Sequence, residues 1–131
     1  MSALNRLHNS ANPYQGDYKK VLCICSAGLL RSPTAAFVLS QEPYNYNTRA
    51  AGIEADFALI VVDDVLVTWA DEIVVMSKAQ ERAVMAKLKK MKIMRPIACL
   101  GISDNHAYRS PELLVEIKTA YAAYLEERKH D

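Results

Sequence analysis

Three short runs in this chain, at positions 21–24 (VLCI), 73–76 (IVVM) and 97–100 (IACL), are apolar at every position rather than at every second one. A strand with one wet face alternates. A run without alternation suits a strand covered on both faces, as in a parallel sheet packed between helices. Residues 19–24, 71–76 and 95–102 are therefore predicted strands, and 44–51 can form a further one. Between them the period changes. Pro33 stands where a first helical turn would open the segment TAAFVLSQ, and 63–69 suits a short helix. In 77–91, Val84, Leu88 and Met91 fall on one helical stripe. After a loop at 103–109, Ser110-Pro111-Glu112 starts a terminal helix whose stripe is Leu113, Ile117, Ala120, Tyr121 and Tyr124. Strands alternating with helices predict an α/β domain with about four parallel strands.

At 131 residues the chain is one domain's length, read as an arm over 1–18 and a domain over 19–131. Sixteen Lys and Arg against 15 Asp and Glu leave +1, so no global charge favours nucleic acid or an anionic membrane, and neither is an expected partner. No aliphatic or aromatic run exceeds six residues, and the one at 57–62 ends at Asp63 and Asp64, far short of the roughly 20 residues that span a bilayer. The amino terminus lacks the apolar core of a secretory signal, which makes a cytoplasmic location the expectation. Three cysteines make no disulfide framework. Cys23, two residues before Cys25 on a strand, would point parallel to it rather than toward it, and Cys99 lies in an apolar run; both read as packing residues.

The chemistry concentrates after the first strand. In open parallel sheets, ligands gather beyond the carboxyl ends of the strands, where loop amides and a helix amino terminus face outward. Here that loop is Cys25-Ser26-Ala27-Gly28-Leu29-Leu30-Arg31-Ser32. Cys25 sits where the strand stops, a setting that favours thiolate over thiol. Arg31 brings a planar fork of donors to the same mouth, and Ser32 can donate its hydroxyl to the sulfur. Together they describe a cradle for a tetrahedral oxyanion with a nucleophile beneath its central atom. A Cys and an Arg six apart also arise by chance, and a Cys at a strand end is often a small buried hydrophobe. The strand before, the Gly within and the Ser-Pro after favour the oxyanion site.

The segment VLCICSAGLLRSPTAA resembles the phosphate loop of low-molecular-weight protein tyrosine phosphatases, whose signature is C-x-x-x-x-x-R-S-P. WADEIVVM (69–76) and LGISDNHAYRSPELL (100–114) resemble further blocks of small bacterial members. The resemblance implies a three-layer domain with strand order 2-1-3-4. It implies Cys25 as nucleophile, Arg31 as oxyanion clamp, Ser32 as thiolate stabiliser and Asp104 as general acid, with residues 26–32 binding phosphate. No metal or organic cofactor is implied. His106 and Tyr108 are candidate pocket walls, and turn capping is the alternative use of Asp104. Two positions depart from the family: Gly28 replaces the usual Asn, and Leu30 replaces a second Cys, so no disulfide within the loop is available.

The expected activity is hydrolysis of phosphotyrosine or another aryl phosphate, on a phosphorylated protein or a small molecule, by a monomer or weak homodimer. The competing readings are an arsenate reductase, which needs further thiols, a phosphocysteine carrier, which does not call for Arg31-Ser32, and a phosphoprotein-binding module without turnover. Residues 82–95 hold six basic side chains and no acidic one. That suits a solvated helix face, with a docking surface for an acidic partner as the alternative; no aromatic platform favours a phosphate backbone.

Overall fold

A computed structural model of the chain describes residues 18–25, 31–53, 62–102 and 110–129. Four strands, β1 (Lys20–Cys25), β2 (Asn47–Gly52), β3 (Glu72–Val75) and β4 (Ile97–Cys99), alternate with helices α1 (Arg31–Leu39), α2 (Asp64–Trp69), α3 (Lys78–Met91) and α4 (Pro111–Lys129). The strands form one sheet in the order β2-β1-β3-β4, and every pair is parallel.

The unalternated runs behave as their composition requires. Leu22, Ile24, Ile73 and Val75 face α2 and α3, meeting Leu66, Val67, Val84 and Leu88. Val21, Cys23, Cys25 and Val74 face the other way, against Ala35, Leu39, Leu113, Ile117 and Tyr121 of α1 and α4. The sheet is thus the middle of three layers, and its central strands are shielded from water on both faces.

Local chemistry sets the helix starts. Asp63 accepts from the Leu66 amide ahead of α2. At α3, Ser77 accepts from the Gln80 amide while Gln80 Oε1 accepts from the Ser77 amide, a reciprocal capping box that satisfies two otherwise orphaned donors. Lys92 closes α3 in the left-handed conformation, and Ser110 Oγ accepts from Leu113 at the start of α4.

Most boundaries shift by a residue or two from expectation, and three shifts have an identifiable setting. β2 begins at Asn47 rather than at position 44: Asn45 has φ 53°, which breaks the extended chain, and the Tyr44 and Tyr46 rings pack with Tyr121 instead. β4 spans only Ile97–Cys99 because Gly101, at φ +67°, turns the chain away. A Cβ added at Gly101 would meet nothing within 4 Å, so the requirement there is conformational, not spatial. α1 starts at Arg31, ahead of the Ser32-Pro33 pair.

At the amino-terminal edge of the sheet, Glu72 is completely buried although it opens its strand with a charge. Its carboxylate accepts from Lys19 Nζ at 2.9 Å and from the Tyr121 hydroxyl at 2.8 Å. Burial, with the Tyr46 and Glu72 hydrogen bonds and the Glu72 charge, pushes the Tyr121 phenol well above its ordinary range. No helix among the described residues is long and apolar enough to cross a membrane.

Candidate active site

Cys25 is the last residue of β1 and sits opposite Gly52 of β2 at the carboxyl end of the sheet. It is 3 % exposed. The thiol donates to Ser32 Oγ at 3.2 Å, and the Ser32 hydroxyl donates onward to the Ala51 carbonyl at 3.3 Å. A hydroxyl carries a single hydrogen, so its orientation reports the state of the sulfur. Beside a thiol it can point at Ala51; beside a thiolate it must turn to the sulfur to stabilise the charge. Ser32 lies in the first turn of α1, completely buried, which fixes its position against both partners.

Arg31, the first residue of α1, brings its guanidinium to the same edge. Its Nη1 donates to the carbonyl of Ile102 at 2.8 Å, and the residue is 9 % exposed. That bond ties the start of α1 to the chain just beyond β4 and anchors one end of the guanidinium. A bidentate donor held in one plane suits two oxygens of a phosphate better than a mobile point charge does. Gly101 shapes this contact from one residue away, since its left-handed turn sets the course of the chain at Ile102.

Cys25 and Ser32 are thus in contact, and Arg31, which precedes Ser32 at the start of α1, has its guanidinium on the Ile102 carbonyl. Ser26, Ala27, Gly28, Leu29 and Leu30, together with Asp104, His106 and Tyr108, lie outside the described residues. Both ends of the late segment are described, at Ile102 and Ser110. An open groove of about 700 Å³ adjoins them, lined by Leu100, Ile102, Pro111, Val115 and residues further along α4.

The other two thiols take different positions, and none of the three cysteines is in a disulfide. Cys23 is completely buried on the same face as Cys25; burial, with the charges of Glu72 and Cys25 adding, pushes its thiol far above the ordinary range. A thiol held neutral in this way is inert. Cys99 is only partly buried, not fully as its apolar run suggests, because β4 is an edge strand; it packs on the opposite face, with the α2 and α3 cluster. Among the described residues no group of three or more His, Cys, Asp or Glu could hold a metal ion.

Ala51, Ile102 and Gly101 are not among the candidate site residues legible in the sequence. The first two act through backbone carbonyls, which leave no side-chain signature. Only the Gly within LGIS, at the end of a strand, signalled a turn.

A parallel sheet in this order, between two helical layers, is consistent with the fold of the low-molecular-weight phosphatases, and comparison with solved structures agrees. The chain is similar to Wzb of Vibrio vulnificus, solved in complex with benzylphosphonate, with TM-score 0.63, 20% identity, 84% of this chain covered and 99% of that one. It is similar to the YwlE arginine phosphatase of Geobacillus stearothermophilus, with TM-score 0.56 and 16% identity over 86% of this chain and 97% of that one. It is also similar to a low-molecular-weight phosphotyrosine phosphatase of Vibrio cholerae, with TM-score 0.54 and 18% identity over 85% and 97% of the two chains. No protein-family model matches the sequence, and no curated protein sequence matches it.

Proposed function

We propose that the chain is a cysteine-dependent phosphatase that hydrolyses phosphotyrosine or another aryl phosphate, protein-borne or small, through a cysteinyl-phosphate intermediate. One observation carries the reading: a strand-end thiol in hydrogen-bond contact with a buried hydroxyl, beside a guanidinium fixed at the same sheet edge. The Cys25 thiolate attacks phosphorus in line, and the phenol oxygen leaves opposite with a proton from Asp104. Asp104 then takes a proton from water as that water attacks phosphorus. This releases phosphate and returns the thiolate. Arg31 holds equatorial oxygens through both steps. Asp104 follows Ile102 by two residues, a reach of at most ~7 Å along the chain, so the acid and the residue that anchors Arg31 belong to one short stretch.

The positions of the thiols speak for hydrolysis over arsenate reduction. Reduction needs a second thiol able to attack arsenylated Cys25. Cys23 is buried and held neutral, and Cys99 is on the opposite face of the sheet, two strands away.

The test is phosphate release from p-nitrophenyl phosphate and from a phosphotyrosine peptide, in EDTA, by wild type and Cys25→Ser, with a phosphoarginine peptide as a third substrate. Turnover of an aryl phosphate that vanishes in Cys25→Ser, while vanadate still raises the variant's Tm, supports the proposal. Undiminished turnover in the variant refutes it. Vanadate binding without turnover by wild type would make the chain a binding module.

A further inference from the structure

The chain's near-neutral total conceals a strong separation of charge. Residues 78–95, which comprise α3 and the turn that follows it, carry seven basic side chains and one acidic, net +6, while the remainder of the chain is net −5. Lys87 is paired with Asp64 at 3.1 Å, and Arg95 is held by the carbonyls of Ala70, Thr68 and Met94. Arg82, Lys89, Lys90 and Lys92 are exposed and make no ion pair among the described residues.

This positive surface borders an apolar concavity. Between α3 and the edge strand β4 runs a groove of about 480 Å³, with Leu88, Ile93 and Ile97 among its lining residues and Met85, Met94 and Lys89 beside them. Met94 is 90 % exposed and Met85 55 %. A solvated helix face accounts for the lysines but not for two exposed methionines flanking an apolar groove. Methionine is the side chain that adapts to varied apolar partners.

We infer that the α3–β4 groove is a docking site for an acidic segment of another protein, one whose apolar side chains enter between Met85 and Met94 while its Asp and Glu residues face Lys89, Lys90 and Lys92. Complementary charge selects the partner, and the groove supplies register through its apolar anchors. The concave shape favours a protein segment over an anionic membrane, which calls for a protruding apolar face, and Glu81 on the rim would face lipid headgroups of its own sign. No aromatic side chain lines the groove to stack a base. The groove is formed by the sheet's β4 edge, away from the Cys25 end of β1, so this inference stands independently of the proposed catalysis.

The test is fluorescence anisotropy with two short labelled peptides of equal negative charge, one alternating Glu with Leu at helical spacing and one with every Leu replaced by Ser. The Leu peptide should bind wild type with a Kd on the order of tens of micromolar, weaken with added salt, and bind at least ~10-fold more tightly than the Ser peptide. Met94→Asp and Lys89→Glu/Lys92→Glu, all at exposed positions, should each weaken it about tenfold or more while Tm and aryl phosphatase activity stay at wild-type values. Equal binding of the two peptides would reduce the surface to a polyanion site and overturn the inference. So would the absence of saturable binding, or binding unchanged by Met94→Asp. Sedimentation of the full chain covers the second-copy alternative: self-association that Met94→Asp abolishes and the Leu peptide does not displace would assign the groove to another copy and overturn the proposal. Flotation with phosphatidylserine vesicles tighter than peptide binding would assign it to a membrane, with the same result.

Discussion

Ser32→Ala offers the sharpest test of the role proposed for Cys25. The variant removes one oxygen from a completely buried position and leaves the backbone of α1 intact, so the fold should persist with a small change in Tm. It also removes the hydroxyl 3.2 Å from Cys25 Sγ, the one side-chain donor that the described structure shows able to turn toward a thiolate there. A hydrogen bond to a charged group contributes about 1.5–3 kcal/mol, which is roughly a 10- to 100-fold loss of thiolate wherever the thiol form predominates. The rate of Cys25 alkylation by iodoacetamide, followed by mass spectrometry of the Cys25 peptide as pH is varied, reads this directly. The variant's profile should move to higher pH, with the deficit largest at low pH and vanishing once both proteins are fully ionised. The kcat/KM for p-nitrophenyl phosphate should fall by a similar factor on the acidic side and recover as pH rises. An unshifted alkylation profile would mean that the hydroxyl remains on the Ala51 carbonyl in both states. A loss of kcat/KM independent of pH would mean that Ser32 acts on the phosphoryl group and not on the sulfur.

Arg31→Lys should lower kcat/KM by about 10² or more with little change in Tm, because a point charge cannot both hold the Ile102 carbonyl and grip two phosphate oxygens; near-wild-type kinetics would place the guanidinium outside the reaction. Asp104→Asn should slow phosphotyrosine hydrolysis by roughly 10² but spare an aryl phosphate with a more acidic phenol, and equal slowing of both would remove Asp104 as general acid. Lys19→Met should destabilise the fold by about 2–3 kcal/mol at pH 7, somewhat less than breaking a fully enclosed pair because Lys19 is 36 % exposed, while Glu72→Gln should lose much less; the reverse order in urea titrations would refute the ion-pair reading. The Cys23 thiol and Tyr121 phenol titrate above their ordinary values in the folded chain, so the stability they carry is complete below the unfolded values of ~8.5 and ~10 and is lost as pH rises beyond them. Urea midpoints should therefore fall above pH ~9, less steeply in Tyr121→Phe, and a flat profile to pH ~11 would contradict the burial of both groups.

The parts of this structure legible in the sequence are those encoded locally. Runs such as VLCI and IVVM announce two-sided burial residue by residue, and the Cys25, Arg31 and Ser32 cluster is compressed into eight consecutive positions. What stayed hidden depends on distant partners. The acceptors that orient Ser32 and Arg31 are backbone carbonyls 19 and 71 positions away, and any residue type supplies a carbonyl. Glu72 puts a charge inside a predicted strand, and it is enclosed because Lys19 and Tyr121, 53 and 49 positions distant, converge on it. Tyr44 and Tyr46 have strand propensity, but aromatic packing on Tyr121 and the left-handed turn at Asn45 outweigh it.

Strand order explains why Cys25, Arg31 and Ile102 lie where they do. From β1 the chain crosses to β2 on one side of it and then returns to β3 on the other, so the direction of winding reverses beside β1. The two crossovers place α1 and α2 on opposite faces of the sheet, and a crevice opens at the carboxyl edge between strands whose following segments lead apart. Cys25 ends the strand at this point, and Arg31 starts the helix that departs from it. The Arg31 bond to Ile102 spans from the start of α1 to the end of the β4 segment, across the carboxyl end of β3. Were the order sequential, the β1 loop would stand at the sheet's margin, three strands from the chain that follows β4. With β1 inside, Cys25, the Arg31 guanidinium and Ile102 share one edge without long side chains or an added domain. The Cys25–Ser32 contact itself is fixed by the core beneath it, since both residues are buried where β1 ends and α1 begins.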